Sequence, residues 1–111
     1  MKSVQESITN AALAAGTNTI SSSVPAAAKI WKITDIAFSY TGTVTNVRME
    51  IKAGGVSVYK TIADPVSEQL DRVPAPVELY LSATEKIELV VTNATLNDAA
   101  TLIIHGVEQP S

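Results

Sequence analysis

The chain contains no cysteine. Disulfide frameworks, thiolate zinc sites and cysteine nucleophiles are therefore excluded, and packing alone must stabilise the fold. Aromatic residues make up only 5% of the 111 residues, so Val, Ile, Leu and Ala must build most of the core. A chain of this length forms one domain and buries roughly two thirds of its unfolded surface without a staple.

Basic clusters and long apolar runs are also missing. Eight basic and eleven acidic residues are scattered along the chain and give a net charge of −3. No basic patch is therefore available to neutralise nucleic-acid phosphates. No apolar stretch approaches the roughly twenty residues of a membrane helix, and the N-terminus lacks the apolar region of a signal peptide. We expect a protein made in the cytoplasm that binds neither nucleic acid nor a membrane.

Short alternating runs of apolar and polar residues fill the chain from Lys29 to Val107. Between Val47 and Lys52, three apolar side chains alternate with three charged ones. A period of two is typical of a half-buried strand, because successive side chains leave the backbone in opposite directions. About eight such strands are recognisable, and no comparable helical run occurs among them. The sequence therefore predicts an all-β fold, an antiparallel β-sandwich.

Local signals refine this prediction. The apolar residues of the strand from Lys29 to Tyr40 change phase near Thr34 and Asp35, which predicts a β-bulge or a bend from one sheet to the other. Gly54-Gly55 predicts a two-residue hairpin turn, since glycine readily adopts the positive φ of primed turns. Residues 63–76 contain three prolines and are expected to be irregular.

The N-terminal segment differs from the rest. Residues 1–23 carry only two charges and are rich in Ser, Thr, Asn and Ala. We predict that they form an arm or an edge strand ahead of a sandwich domain at residues 24–111. The alternative that they are simply the first strand pair of the fold stays open. The residues predicted to contact a partner are apolar ones in or next to this segment: Ile8, Leu13, Ile20 and Val24.

Catalytic chemistry finds little support in the sequence. His105 is the only histidine, and no serine motif accompanies it. A strand histidine facing solvent or a neighbouring subunit is the simpler interpretation. Asp64, Glu68 and Asp71 lie close together in the proline-rich segment and could converge as glycosidase acids do. Solvated or locally paired loop acids are the simpler interpretation here too, so no catalytic residue is predicted.

A few residues could bind a metal ion or a sugar. Asn93, Asn97 and Asp98 could supply oxygens to calcium, although hairpin turns prefer the same residues. An aromatic platform for sugars would draw on Trp31, Tyr40, Tyr59 and Tyr80. Trp31 lies in an apolar strand and is expected in the core, which weakens that alternative. We predict no metal site and no cofactor.

Five segments carry a likeness to known proteins. They are Val24–Ile33 (VPAAAKIWKI), Ile36–Tyr40 (IAFSY), Val47–Ile51 (VRMEI), Pro76–Ile87 (PVELYLSATEKI) and Ile104–Glu108 (IHGVE). In this order they resemble the small jelly-roll proteins of tailed-phage virions, of the head-decoration, head-spike or fibre-base type. The resemblance covers about three quarters of the chain and consists of strand and turn patterns.

This resemblance implies a jelly-roll sandwich and a non-enzymatic role in a virion. The expected protein is a capsid decoration or accessory protein that binds the major capsid lattice or another virion protein and stabilises the particle. It would form a homo-oligomer, with a trimer favoured, and lie on the virion surface after assembly in the host cytoplasm. The alternative is a carbohydrate- or receptor-binding module of a spike or tail, since loops on a rigid sandwich commonly bind ligands.

Overall fold

The structure, a computed structural model, describes residues 2–74 and 79–110. Within these residues the chain forms strands and turns and no helix. The strands are β1 (Lys2–Asn10), β2 (Gly16–Ser21), β3 (Lys29–Thr41), β4 (Arg48–Ala53), β5 (Val56–Lys60), β6 (Asp71–Arg72), β7 (Leu79–Leu81), β8 (Ile87–Ala94) and β9 (Ala99–Pro110).

The strands form two antiparallel sheets. In sheet 1 the order is β1-β9-β3-β6, and β7 also pairs with β3. In sheet 2 the order is β2-β8-β4-β5. The predicted all-β antiparallel sandwich is therefore confirmed. In the described part of the chain, no helix is long and apolar enough to cross a membrane.

One hydrophobic cluster fills the space between the sheets. Both sheets contribute to it with side chains that are at most 2% exposed, among them Phe38, Leu102 and Ile104 from sheet 1 and Met49, Ile51 and Leu89 from sheet 2. Each such side chain stabilises the fold by about 1.5–3 kcal/mol relative to leaving it exposed. The alternation predicted between residues 47 and 52 is confirmed, since Val47, Met49 and Ile51 are buried and the three charged residues are only half-buried.

The change of phase in β3 is a β-bulge. Ile33 pairs with Gly106, but the next pair is Asp35 with His105, so Thr34 is the extra residue. The bulge lets both halves of β3 face the core, and Trp31 and Ile33 are buried as well as Ile36, Phe38 and Tyr40. β3 pairs with β9 on both sides of the bulge. The predicted bulge is confirmed, and the alternative of a bend between sheets is not observed.

The hairpin between β4 and β5 is also confirmed. Gly54 and Gly55 have φ values of 56° and 83° and connect the paired residues Ala53 and Val56. Positive φ at both central positions is the geometry of a type I′ turn, whose twist matches the flanking strands.

The proline-rich segment becomes an interrupted edge strand. β6 and β7 pair with different parts of β3, at Ala37–Arg72 and Ile33–Leu79. Between them the Val73 N–H donates to the carbonyl of Ile36 (3.0 Å), and Pro74 follows. Proline cannot donate to a ladder, which suits it to an edge. Residues 76–78, which begin the Pro76–Ile87 segment of the resemblance, lie outside the described residues.

The N-terminal residues belong to both sheets. All nine residues of β1 pair with β9, from Lys2–Glu108 to Asn10–Ala100. β2 pairs with β8, and the Ser22 N–H continues that contact by donating to the carbonyl of Ile87 (2.8 Å). β1 and β2 lie at the edges of the two sheets, joined by residues 11–15.

Candidate interaction surfaces

The four predicted contact residues have different environments. Leu13 and Ile20 are 0% and 4% exposed and belong to the chain's own core, and Ile8 packs against that core. Val24 alone is substantially exposed, at 43%. The assignment of Leu13 and Ile20 to a partner contact is therefore corrected: these side chains hold the β1–β2 connection and β2 onto the sandwich.

Backbone hydrogen bonds explain the position of Leu13. Its N–H donates to the carbonyl of Asp98 (2.8 Å), and its carbonyl accepts from the N–H of Asn97 (2.8 Å). The connection between β1 and β2 is thereby fixed to the turn between β8 and β9. A single leucine in an alanine-rich loop gives no periodic signal, so the sequence did not reveal this anchor.

Asp98 is a structural hub. Its Oδ2 accepts hydrogen bonds from the Tyr40 hydroxyl (2.7 Å) and the Thr43 N–H (2.8 Å). The Thr95 N–H donates to the same hydroxyl (3.2 Å). Burial, reinforced by the neighbouring Asp98 carboxylate, raises the pKa of Tyr40, although the bond from Thr95 opposes this. These bonds tie β3 to the β8–β9 turn.

Of the two asparagines considered for calcium, Asn97 lies in the β8–β9 turn and Asn93 lies near the end of β8. Asn93 and Asn97 have φ values of 62° and 69°, a region that asparagine tolerates better than most residues. The Asn93 amide donates to the carbonyl of Asn46 (3.0 Å). Within residues 2–74 and 79–110, no group of three or more His, Cys, Asp and Glu side chains is arranged to hold a metal ion.

The three loop acids are brought together only in part. Asp64 and Asp71 line one open cleft of about 240 Å³, together with Tyr59 and Arg72. Glu68 is exposed and does not line this cleft. The cleft places a half-buried aromatic ring beside groups that can donate and accept hydrogen bonds.

The charges at this cleft already have partners. Asp64 accepts from Arg48 (2.6 Å) and from the N–H of Asn46 (2.9 Å). Arg72 forms an ion pair with Asp35 on the neighbouring strand β3. These are exposed or half-exposed pairs, of a kind that contributes about 0–1 kcal/mol each. Asp64 and Arg72 are therefore paired locally.

The aromatic residues do not form one exposed platform. Trp31 is 7% exposed, and its indole N–H donates to Glu108 (3.1 Å). Tyr40 is fully buried, and Tyr59 lies against Phe38 with ring centroids 6.1 Å apart. Tyr80 is exposed on β7. The predicted burial of Trp31 is confirmed.

His105 lies on the outer face of sheet 1. Across the strands its register neighbours are Gln5 on β1 and Asp35 on β3. The ring is half-buried, and neither neighbour is a serine, threonine or cysteine that the imidazole could activate. Its surroundings are those of a surface strand residue.

The outer face of sheet 2 is charged. Glu50 and Lys60 form an ion pair (3.6 Å), and Lys52 lies opposite Glu88. A hydrogen bond from Ser57, helped by Lys60 and Lys52, holds the pKa of Glu50 below its usual range. Alternating charges of this kind suit a face exposed to water.

The outer face of sheet 1 differs. Because the buried residues of β1 and β9 point inward, their alternate residues point outward. These outward residues are Ser3, Gln5, Ser7, Thr9, Thr101, Ile103, His105 and Val107, and none of them is Asp, Glu, Lys or Arg. Charged residues begin on the adjacent strand β3, where Lys32 lies opposite Val107, and Asp35, paired with Arg72 of β6, lies opposite His105. One half of this face is therefore uncharged, and we call it the uncharged face.

One feature of the sequence indicates that this face is covered. Leu102, Ile103 and Ile104 form a continuous apolar run in β9, and such runs are typical of strands covered on both sides. Leu102 and Ile104 are buried inside the sandwich, whereas Ile103 is directed to the outside.

Comparison of the chain with protein families, with curated proteins and with solved structures found no match.

Proposed function

We propose that this chain is a non-enzymatic structural protein of a virion, a capsid decoration or accessory protein that binds the major capsid lattice and stabilises the particle. It assembles in the host cytoplasm and lies on the virion surface as a homo-oligomer. The observation that carries the proposal is the uncharged face, which contrasts with the charged outer face of sheet 2.

The contrast between the faces has a physical basis. The centre of a protein–protein interface is depleted in charged residues, because a charge removed from water must be paired or costs free energy. Ser, Thr and Gln side chains hydrogen-bond across an interface, and Ile103 and Val107 supply apolar area. The charged face of sheet 2 suits permanent contact with water.

The strand order supports the fold that the resemblance implies. The chain passes repeatedly between the sheets, so that β1 lies beside β9 and β2 beside β8. We infer that this arrangement, with the first and last strands side by side, is a jelly roll, which consists of two Greek keys. Viral capsid proteins and lectins both use this architecture, so the fold alone does not choose between the functions.

A matched pair of variants tests the proposal. Ile103→Lys places a charge at the centre of the uncharged face, on a strand with neighbours on both sides. Val90→Lys is the control, since Val90 is a half-buried outward residue on the corresponding central strand of sheet 2. The measurement is cosedimentation with capsids that lack this protein, after circular dichroism has verified that both variants fold.

We expect Ile103→Lys to weaken capsid attachment at least tenfold, because an unpaired buried charge costs more than about 1.4 kcal/mol. Val90→Lys should bind like the unmodified chain. Equal binding by all three proteins would refute a role for the uncharged face, and no binding by the unmodified chain would refute the capsid role.

A carbohydrate-binding module remains the second candidate, because the cleft between Tyr59, Asp64 and Asp71 combines an aromatic ring with polar groups. Its test is a glycan array with the unmodified chain and with Asp71→Ala. Binding to one glycan class that Asp71→Ala abolishes would favour this candidate. Absence of any signal would exclude it for the glycans on the array.

A further inference from the structure

The free edges of the sandwich are not alike. In the described part of the chain they are β1, β2, β5 and the interrupted β6–β7 pair. The pairing of β2 and of β5 contains a register shift, and β6 has two residues. Short or bulged edges resist pairing with another chain. β1 differs, because its nine residues pair with β9 without any shift.

The outer side of β1 is open. β1 ends the order of sheet 1, so the backbone N–H and C=O groups on that side face no strand among the described residues. No proline interrupts it, and its outward side chains are Ser3, Gln5, Ser7 and Thr9. A regular edge of this kind accepts a further strand through backbone hydrogen bonds.

We infer that β1 pairs antiparallel with β1 of a second copy of this chain, which joins the two copies of sheet 1 into one continuous sheet. Inward residues must then lie opposite inward residues, since a slip by one residue would turn the buried set of one copy outward. The contact has a two-fold axis, which passes through one residue of each strand.

Charge selects the register. Lys2 and Glu6 are the charged residues of β1, and they share the inward parity with Val4. With the axis at Val4, Lys2 of each copy lies opposite Glu6 of the other, which gives two favourable cross-strand pairs. With the axis at Glu6, the two Glu6 carboxylates would lie opposite each other, which is destabilising. The axis at Val4 is therefore preferred.

The N-terminal half of β1 borders a surface notch on the side of β9 and β3. The notch, of about 200 Å³, is lined by residues 2–6, Trp31 and Glu108. It lies along the N-terminal half of β1, the half that pairs when the axis is at Val4. Val4 is 9% exposed, and in the dimer it meets Val4 of the second copy, which extends the core across the contact.

The two-fold contact also closes the edge. Each copy has one β1, so the contact uses this strand in both copies and leaves no β1 for a third copy, unlike an open head-to-tail contact. This predicts an even-numbered assembly in place of the trimer that the resemblance favours. The inference does not rest on a virion role.

Cysteine pairs provide the first test, because the natural chain has no cysteine to interfere. With the axis at Val4, Ser3 lies opposite Gln5 of the second copy, and opposed Cα atoms about 4.5–5.5 Å apart permit a disulfide. A mixture of Ser3→Cys and Gln5→Cys should form a mixed disulfide dimer under mild oxidation, far more than either variant alone. Absence of the mixed dimer, or linkage of Gln5→Cys to itself, would overturn the register.

Charge reversal provides the second test, read by sedimentation equilibrium over a range of concentrations. Lys2→Glu should raise the dimer dissociation constant about tenfold, since it turns two attractive pairs into repulsive ones. Lys86→Glu, with the same change of net charge on a residue next to β8, should leave it unchanged, and Lys2→Glu/Glu6→Lys should restore dimerisation. Circular dichroism verifies folding, because Glu6 also accepts from the Ser23 N–H (2.9 Å). A monomer, a trimer, or equal dimerisation of Lys2→Glu and Lys86→Glu would refute the contact.

Discussion

Replacing Tyr40 by phenylalanine tests the hub at Asp98. The change removes one hydroxyl and leaves the ring, which is fully buried. The hydroxyl donates to Asp98 (2.7 Å) and accepts from the Thr95 N–H (3.2 Å). Both bonds are lost together, while the bond from the Thr43 N–H to Asp98 stays. The perturbation therefore separates hydrogen bonding from packing.

The expected cost follows from these two bonds. A hydrogen bond to a charged group contributes about 1.5–3 kcal/mol, and an unpaired N–H adds a penalty when water cannot reach it. Asp98 is half-buried and Thr95 is exposed, so water replaces part of what is lost. We expect Tyr40→Phe to lower the free energy of unfolding by about 2 kcal/mol. That loss corresponds to a fall in Tm of about 9 °C for a domain of this size.

The assay is urea denaturation followed by circular dichroism, with Tyr80→Phe as the control. Tyr80 is 55% exposed, so its variant makes the same chemical change without removing a buried bond. Tyr80→Phe should change the free energy of unfolding by less than about 0.5 kcal/mol. If Tyr40→Phe were as stable as Tyr80→Phe, the reasoning about the Asp98 hub would be refuted.

Three further predictions concern stability. Because the pKa of Tyr40 is raised above its usual 10.0, the folded state holds the phenolic proton more tightly, so stability is lost as the pH rises above 10. Above pH 10 the urea midpoint should therefore fall less steeply with pH in Tyr40→Phe than in the unmodified chain. The same pH dependence in both proteins would contradict this. Leu13→Ala should lower the free energy of unfolding by about 2–5 kcal/mol, whereas Val24→Ala, at an exposed site, should change it by less than about 0.5 kcal/mol; equal effects in denaturant titrations would contradict the burial of Leu13. Gly106→Ala should lower Tm by several degrees, because the added Cβ meets the backbone carbonyl of Lys32, and an unchanged Tm would show that β3 and β9 can separate there without cost.

The sequence predicted those parts of the fold that depend on neighbouring residues. The alternation at Val47–Lys52, the turn at Gly54-Gly55 and the bulge at Thr34 are all local patterns. Each follows from the side-chain period or the backbone preference of one or two residues. These predictions were correct because the geometry of an alternating strand, a tight turn or a bulge does not depend on which sheet the strand joins.

The N-terminal segment shows what local patterns leave out. The pairing of Lys2 with Glu108 joins opposite ends of the chain, and nothing in residues 1–23 indicates that partner. Their polar composition favoured an arm, but a strand needs only one row of inward-facing apolar side chains to join a sheet. Val4 and Ile8 supply that row, and Glu6 between them accepts from Ser23. The local pattern of residues 1–23 therefore does not show that Leu13 and Ile20 are buried in the chain's own core, and they were predicted as contact residues for that reason.

β1 contributes both the open edge and half of the uncharged face. Its stability requires only the inward row, because the outward residues contact no core. Charged side chains at Ser3, Gln5, Ser7 and Thr9 would therefore be compatible with the fold and would help to protect the edge. Sheet 2 carries such charges at Lys52 and Lys60, whereas the outward side of β1 has none. The absence of charge is thus not a requirement of folding. An uncharged outer surface suits contact with another protein. A second β1 would cover the edge, and a capsid lattice would cover the face.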